Sequence, residues 1–419
     1  MRKMKDSGIE WIGEIPEGWE VSLLKYATRW KSEKGCPDAP VLSLYRDFGV
    51  VPKDSRDDNH NVTSLDTSNY KVVDIGDLVI NKMKAWQGSM AVSDYRGIVS
   101  PAYHVCSITS NKVNKRYLHH LLRNPAYLPE YARLSTGMRI GQWDLGFDDF
   151  KNIPFLIPPL DEQAKIADYL DNGCASLDTI LDKTRSSIEE YKKLKQAVIT
   201  QAVTKGVHSE REMKDSGVEW IGKVPSKWNC IKIKYLFEIR KRIAGKEGYT
   251  VLSITQTGIK PKNISSNEGQ LADSYSNYQL LYSGEFAMNH MDLLTGWVDI
   301  SNYNGVTSPD YRVFSLKDTI TNHPRYFLYL MQSCYFNRIF YSMAQGVSNL
   351  GRWRLQSDKF LNCIFPVPSI EEQKEISDYL DTTCSEIDKL IAKKEQLAKE
   401  LESYKKSLIY EVVTGKREV

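Results

Sequence analysis

One sequence motif occurs twice in this chain, and its second copy begins about 210 residues after its first. Residues 4–19 read MKDSGIEWIGEIPEGW, and residues 213–228 read MKDSGVEWIGKVPSKW. The two copies then diverge. They agree again near their ends, where DEQ at 161–163 corresponds to EEQ at 371–373. This period is far longer than the roughly 20–50 residues of solenoid repeats. We therefore expect two domains of one fold that carry different surfaces.

The bulk composition is that of a globular protein. The chain has 419 residues, of which 41% are hydrophobic and 26% are charged, and this length suggests two or three domains. We find no run of about 20 apolar residues that could span a bilayer, so we expect no membrane association and a cytoplasmic protein. The seven cysteines form no C-x-x-C motif, which argues against a zinc site. The net charge of +3 is too small to indicate nucleic-acid binding by itself.

The divergent middle parts of the two copies have the pattern of mixed α and β structure. Strands are predicted at 77–81, 99–106, 251–255 and 311–316, and helices at 116–122 and 325–332.

The closing segment of each copy predicts one long helix. Residues 161–204 contain no proline and a single glycine, Gly173, and residues 371–414 contain neither. Apolar residues recur at spacings of three and four between charged residues, which is the pattern of a coiled coil. Each helix would be roughly 66 Å long. Ser369 and Glu372 predict a capping box at the start of the second helix.

The apolar seam of each helix is interrupted by a polar residue at an equivalent position, Thr184 in the first and Lys394 in the second. An antiparallel pairing with pseudo-twofold symmetry would bring these residues together and set the register of the helices. The alternative is that two long seams each tolerate one polar residue.

The predicted fold is therefore mixed α/β (α+β), with two repeat-related globular domains separated by two long antiparallel coiled-coil helices in a cyclic arrangement. The expected division is a first recognition domain at 1–158, a long helix at 159–206, a second recognition domain at 207–368 and a long helix at 369–419. In this arrangement the two termini should lie near each other.

Two unlike domains on a long spacer suit the reading of two separated sites on a rod. DNA half-sites lie about 34–36 Å apart per helical turn, a distance that a long helical spacer can set. The divergence of the two domains predicts two different target sequences, because one palindromic target would need no such divergence.

The motif MKDSG-[IV]-EWIG-x-[IV]-P-x-x-W resembles the specificity subunits of type I restriction-modification systems. The segments IPPLDEQAKIADYLD and VPSIEEQKEISDYLD and the endings QAVTKG and EVVTGK share this resemblance, which covers essentially the whole chain. The resemblance implies two target recognition domains and two conserved helices that together read a bipartite, asymmetric double-stranded DNA site. It also implies assembly with two modification subunits, which carry S-adenosylmethionine and methylate adenine N6. Restriction subunits, with ATP and Mg²⁺, would join them.

Motifs for catalysis are weak in this chain. Residues 124–127 read NPAY and resemble the motif with which amino-methyltransferases hold the target amine, but a helix that ends at Asn-Pro is the favoured explanation. The second copy lacks this motif, and the chain has no phosphate-binding G-x-x-x-x-G-K-[ST] loop. We therefore expect a subunit without catalytic, cofactor-binding or metal-binding residues of its own.

Two loops in each copy combine glycine with residues that can read base edges or hold phosphates. The candidate DNA contacts are Lys82, Lys84, Gln87, Arg139 and Gln142 in the first copy and Asn289, His290, Ser348, Asn349, Arg352 and Arg354 in the second. Alternatively, the tryptophans Trp86, Trp143 and Trp353 pack these loops, and only basic residues touch phosphate. Basic clusters at 192–195 and 405–406 either meet DNA or a partner subunit, or form a solvated helix face.

Two other functions remain open from the sequence. A coiled-coil scaffold with two ligand-binding domains would need the same duplicated frame but would show no sequence-dependent DNA binding. A self-contained methyltransferase would bind S-adenosylmethionine as an isolated chain.

Overall fold

A computed structural model describes residues 2–56, 63–64, 66–139, 142–264, 272–344 and 353–419. The chain forms two compact units. The first unit comprises residues 1–185 and 396–419, and the second comprises residues 186–395. Each unit therefore contains one globular repeat and a part of each long helix. The four-part division expected from the sequence stays a prediction.

The first repeat contains strands β1 Met4–Asp6, β2 Glu14–Pro16, β3 Glu20–Leu23, β4 Thr28–Lys31, β5 Leu42–Tyr45, β6 Gly49–Pro52, β7 Lys71–Val73, β8 Asp77–Asn81, β9 Met90–Val92, β10 Gly97–Val99, β11 Tyr103–Ile108, β12 Ser135–Arg139, β13 Gln142–Leu145 and β14 Pro154–Ile157. Its helices are α1 Lys115–Leu122, α2 Leu128–Leu134, α3 Phe147–Phe150 and the long α4 Leu160–Lys205, with 3-10 helices at Leu24–Tyr26, Lys53–Ser55, Lys82–Gln87 and Pro125–Tyr127.

The second repeat contains strands β15 Met213–Asp215, β16 Lys223–Pro225, β17 Asn229–Lys232, β18 Phe237–Arg240, β19 Leu252–Thr255, β20 Gly258–Pro261, β21 Gln279–Leu281, β22 Phe286–Met288, β23 Val298–Ile300, β24 Gly305–Thr307, β25 Arg312–Leu316 and β26 Ile364–Val367. Its helices are α5 Ile233–Leu236, α6 Pro324–Phe336, α7 Ile339–Ser342, α8 Ser357–Asn362 and the long α9 Ile370–Val413.

Each repeat is built on a four-stranded antiparallel sheet of its own, which we call its central sheet. Its strand order is β4-β11-β8-β9 in the first repeat and β18-β25-β22-β23 in the second. The predicted strands at 77–81 and 251–255 and the helices at 116–122 and 325–332 are confirmed to within a few residues. The predicted strand at 99–106 is wrong in its middle, because the backbone turns between Ser100 and Tyr103, where the Tyr103 N–H donates to the Ser100 carbonyl.

Each repeat closes its core with both long helices. In the first unit, the start of α4 contributes Ile166 and Leu170, and the end of α9 contributes Leu408 and Val412. The second unit uses the other half of each helix, with the end of α4 and the start of α9 in its core. The predicted long helices and mixed α/β fold are therefore confirmed. Among the described helices, none is long and apolar enough to cross a membrane.

Within each unit the two helices run antiparallel, and equivalent ion pairs join them. Lys405 pairs with Asp178 in the first unit, at 2.5 Å. Lys195 pairs with Asp388 in the second unit, at 2.7 Å. These two pairs are related by the repeat, since 195 corresponds to 405 and 178 to 388.

Each of the two polar seam residues has a contact within its own unit. The Thr184 hydroxyl donates to the Ile180 carbonyl one turn earlier in its own helix, at 2.8 Å. The Lys394 ammonium lies 5.7 Å from the centre of the Tyr191 ring. Thr184 belongs to the first unit and Lys394 to the second, so their pairing stays a prediction.

Candidate nucleic-acid interface

In each copy, the opening motif is hydrogen-bonded to the DEQ or EEQ motif at the start of the long helix. The Trp19 indole N–H donates to the Glu162 carboxylate at 3.0 Å, and the Trp228 indole N–H donates to Glu372 at 2.9 Å. Both indole rings are buried. Glu162 also pairs with Arg2. The strongest sequence signal in the chain therefore marks a joint between each repeat and the start of its helix.

Glu372 forms only half of the capping box that the sequence predicts. Its backbone N–H donates to the Ser369 hydroxyl, at 3.4 Å. Its carboxylate accepts from Trp228 and pairs with Arg211, and no bond from the Ser369 N–H back to this carboxylate is found in this described segment. A tertiary partner thus replaces the local one.

The glutamine beside each of these glutamates is a buried backbone clamp. The Gln163 amide accepts from the Asn114 N–H at 2.8 Å and donates to the carbonyls of Lys112 and Pro158. Gln373 repeats this pattern with the His323 N–H and the carbonyls of Thr321 and Pro368. Each clamp therefore fixes the segment that leads into α1 or α6 against the start of a long helix.

A buried tyrosine in each repeat reaches the end of the other repeat's helix. The Tyr117 hydroxyl contacts the carbonyls of Leu156 and Val413, at 3.3 and 3.4 Å. The Tyr326 hydroxyl contacts the carbonyls of Pro366 and Val203, at 2.8 and 3.1 Å. The shared residues thus build a frame, and the surfaces that differ between the repeats are the candidates for recognition.

The first candidate loop of the first repeat is the 3-10 helix Lys82–Gln87, which follows β8 at the end of the central sheet. Lys82 forms an ion pair with Asp144 of β13, at 2.8 Å. Lys84 and Gln87 are exposed, so their side chains are available to a partner. The loop thus presents one paired and one exposed cation.

The equivalent loop of the second repeat differs in character. The Asn289 side chain accepts from the backbone N–H groups of Met291 and Asp292, both at 3.2 Å, and so stabilises the turn. His290 is buried, and burial together with the nearby Arg312 and Arg354 lowers its pKa to about 3. His290 is therefore neutral at physiological pH. Its predicted contact with DNA stays a prediction.

The second candidate loop of the first repeat is the hairpin formed by β12 and β13. Trp143 of this hairpin packs on Trp86 of the first loop, with ring centroids 5.1 Å apart. The two loops therefore form one surface, and these tryptophans pack it. The side chains of Arg139 and Gln142 lie outside the described residues.

In the second repeat the predicted contacts Ser348, Asn349 and Arg352 also lie outside the described residues. Trp353 packs on Tyr341, with ring centroids 4.8 Å apart. Arg354 follows it and is exposed. All of the predicted DNA contacts stay predictions.

Sequence reasoning missed two buried residues that hold these loops. The His104 imidazole Nε2 lies 3.1 Å from the Leu145 carbonyl at the end of the hairpin. At the equivalent place Arg312 donates to the Leu355 carbonyl, at 2.9 Å. The available signal was their position directly after the matching SPAY and SPDY segments.

The basic clusters on the long helices are partly neutralised. Lys192 pairs with Glu189, while Lys195 and Lys405 pair with aspartates of the facing helix. Lys193 and Lys406 are exposed. These clusters therefore contribute fewer accessible charges than the sequence indicates.

The NPAY segment has a local structural role. The buried Asn124 side chain accepts from the Ala126 N–H at 2.8 Å and caps the 3-10 helix Pro125–Tyr127. In the described part of the chain, no group of three or more His, Cys, Asp and Glu residues could hold a metal ion.

Comparison with protein families assigns both repeats. The model described as the type I restriction modification DNA specificity domain matches residues 30–190 and 225–402, which together exceed half of the chain. The chain belongs to this specificity family. The predicted resemblance is thereby confirmed.

Individual members of the family align along nearly the whole chain. The type I restriction enzyme MjaVIII specificity subunit of Methanocaldococcus jannaschii is 25% identical over 429 aligned positions, which cover 96% of this chain and 93% of the relative. The putative MjaX specificity subunit of the same organism is 24% identical and covers 97% and 95%.

Solved structures share the fold. A chain from a study of complex assembly and conformational transition of the type I R-M system has a TM-score of 0.71 at 13% identity and covers 96% of this chain and 99% of its own. The HsdS subunit from Thermoanaerobacter tengcongensis has a TM-score of 0.52 at 14% identity and covers 96% and 98%.

Proposed function

We propose that this specificity-family member reads a bipartite, asymmetric DNA site through its two repeats, and that it is the non-catalytic subunit of a modification and restriction complex. The supporting observation is the contrast within one chain. The joints between repeat and helix are the same in both units, whereas the candidate reading positions carry different side chains, such as Lys82 against His290 and Asp144 against Arg354.

The long helices are the proposed dock for two copies of the modification subunit. Three positions of the first long helix carry an exposed apolar residue, and so do the three corresponding positions, 210 residues later, of the second long helix. These pairs are Tyr169 with Tyr379, Ile180 with Leu390, and Leu194 with Tyr404. Exposed apolar side chains at fixed positions are typical of protein interfaces. A surface that recurs while its surroundings diverge suits a partner that binds twice.

The chemistry of the complex then belongs to the partners. We propose that modification subunits bind S-adenosylmethionine and methylate adenine, and that restriction subunits use ATP and Mg²⁺. This chain would supply the sequence choice and the spacing between the half-sites. A cytoplasmic location, where the chain can meet DNA and these partners, belongs to the same proposal.

Methylome sequencing tests this function. Cells that lack other modification systems would receive this chain together with its modification subunit, and genomic N6-methyladenine would be mapped. We expect one motif of two specific half-sites separated by a spacer of fixed length and unread sequence. A culture with the modification subunit alone is the control and should show no motif. Methylation without a bipartite motif, or none at all, would contradict the proposal.

A further inference from the structure

Three positions at the end of each central sheet correspond between the repeats and differ in charge. In the first repeat they hold Lys82, His104 and Asp144, and in the second they hold His290, Arg312 and Arg354. Strand register supports the correspondence, because His104 pairs with Ile80 in one sheet and Arg312 pairs with Met288 in the other. We call these residues the first triad and the second triad.

The first triad neutralises itself. Lys82 and Asp144 form an ion pair at 2.8 Å. Burial lowers the pKa of His104, so its imidazole is neutral at physiological pH. The formal charges of the three side chains therefore sum to zero.

The second triad holds two cations without an anion. Arg312 is only 4% exposed. It donates to the Leu355 carbonyl and to the Ser357 hydroxyl, at 2.9 and 3.3 Å, and lies 4.7 Å from the centre of the Phe360 ring. Across the described ranges, neither Arg312 nor Arg354 has a carboxylate partner. His290, whose Nδ1 has no partner among the described atoms, is neutral and adds no negative charge.

Leu355 links the members of the second triad. Its N–H donates to the His290 carbonyl at 2.9 Å, while its carbonyl accepts from Arg312. Arg354 therefore directly precedes a residue whose N–H and carbonyl are both held by hydrogen bonds. A guanidinium presents a planar fork of donors that matches a phosphate. A buried cation without a counter-ion strengthens the attraction for an anion, because the local dielectric constant is low.

We propose that Arg354 binds a backbone phosphate of double-stranded DNA, with Arg312 as the buried positioning residue beneath it, and that the first repeat makes no such contact at Asp144. This inference rests on the proposed DNA-reading function and refines it. Phosphate contacts fix the register of a protein on DNA without reading bases. The two repeats would thus be anchored differently as well as read different sequences.

The salt dependence of DNA binding tests the contact. The full-length chain, in complex with its modification subunit, would be titrated onto a duplex of arbitrary sequence, since a phosphate contact does not depend on sequence. Arg354→Asp, which introduces the side chain of the first repeat, should weaken binding several-fold and lower the slope of log K against log salt by about one. The matched control is Lys223→Glu, which makes the same charge change at an exposed position where the first repeat carries Glu14. It should leave the slope unchanged.

Arg312 is tested by rescue. Arg312→Gln retains a donor for the Leu355 carbonyl but removes the charge, and it should weaken binding several-fold, whereas Arg312→Lys should restore most of the affinity. A wild-type slope in Arg354→Asp, or an equal loss of slope in Lys223→Glu, would overturn the phosphate contact. A wild-type complex of this chain with its modification subunit that binds no DNA would overturn the proposed function, and this contact with it.

Discussion

At the scale of single residues, one glutamine shared by the two repeats, Gln163 in the first and Gln373 in the second, is buried and paired with backbone. Gln163 and Gln373 are 1% and 0% exposed, and each satisfies three backbone groups. A buried backbone group without a partner costs about 1–3 kcal/mol. These glutamines are therefore expected to stabilise the joint between repeat and helix rather than to contact a ligand.

Replacing Gln163 with leucine should lower the free energy of unfolding by about 2–4 kcal/mol, because one N–H and two carbonyls lose their partner. Denaturant unfolding of the full chain, followed by circular dichroism, measures this. Gln373→Leu should give a similar loss. Gln201→Leu, at an exposed position of α4, is the control and should change stability by less than about 0.5 kcal/mol. Equal effects at positions 163 and 201 would rule out the clamp.

At the scale of elements, the long helices have two faces with different tasks. One face completes the cores of the repeats, and the interhelical ion pairs flank it. Exposed ion pairs contribute only about 0.2–1 kcal/mol, so apolar burial holds the helices in place. The other face carries the repeated apolar residues, which are exposed in the described structure.

Charged substitutions on the exposed apolar face of the long helices, the proposed dock, should change the number of modification subunits in the complex. Ile180→Asp with Tyr404→Asp should remove one modification subunit from the complex, because a carboxylate placed in an apolar interface loses its hydration. Leu194→Asp with Leu390→Asp should remove the other, and native mass spectrometry of the purified complex would count them. Ile320→Asp is the control, since Ile320 is 85% exposed and lies outside the long helices. Two modification subunits retained in both double variants would exclude this face as the dock.

At the scale of the whole molecule, the repeats are joined in an equivalent way to the helix that precedes each in cyclic order. Gly206 directly follows α4 and packs near Trp228, and Gly415 lies two residues after the end of α9 and packs near Trp19. Both glycines have positive φ, of +78° and +71°, as is common where a helix terminates. The Lys416 ammonium also donates to the Ile12 carbonyl, at 2.8 Å. The expected proximity of the terminal segments is confirmed within the first unit.

A circular permutant is therefore expected to fold. A short Gly/Ser linker would join Val419 to Met1, and the chain would open between Ser209 and Glu210, which are both exposed. The permutant should keep the helical circular dichroism signal and a Tm within a few degrees of wild type, because every helix-to-repeat joint is retained. A permutant opened inside α1, whose apolar residues are buried, is the matched control and should unfold. Loss of structure in both would contradict the cyclic arrangement.

The sequence by itself determined the duplication, the long helices, the family and the regions of divergence, because repeated motifs and heptad spacing are local patterns. Only the tertiary structure decided what the repeated residues do: Trp19 meets Glu162, and Tyr117 meets Val413, across 143 and 296 residues of chain. It also decided the charge at the candidate reading surface. Lys82 is neutralised by Asp144, and His290 is buried beside Arg312, because strands distant in sequence bring these side chains together.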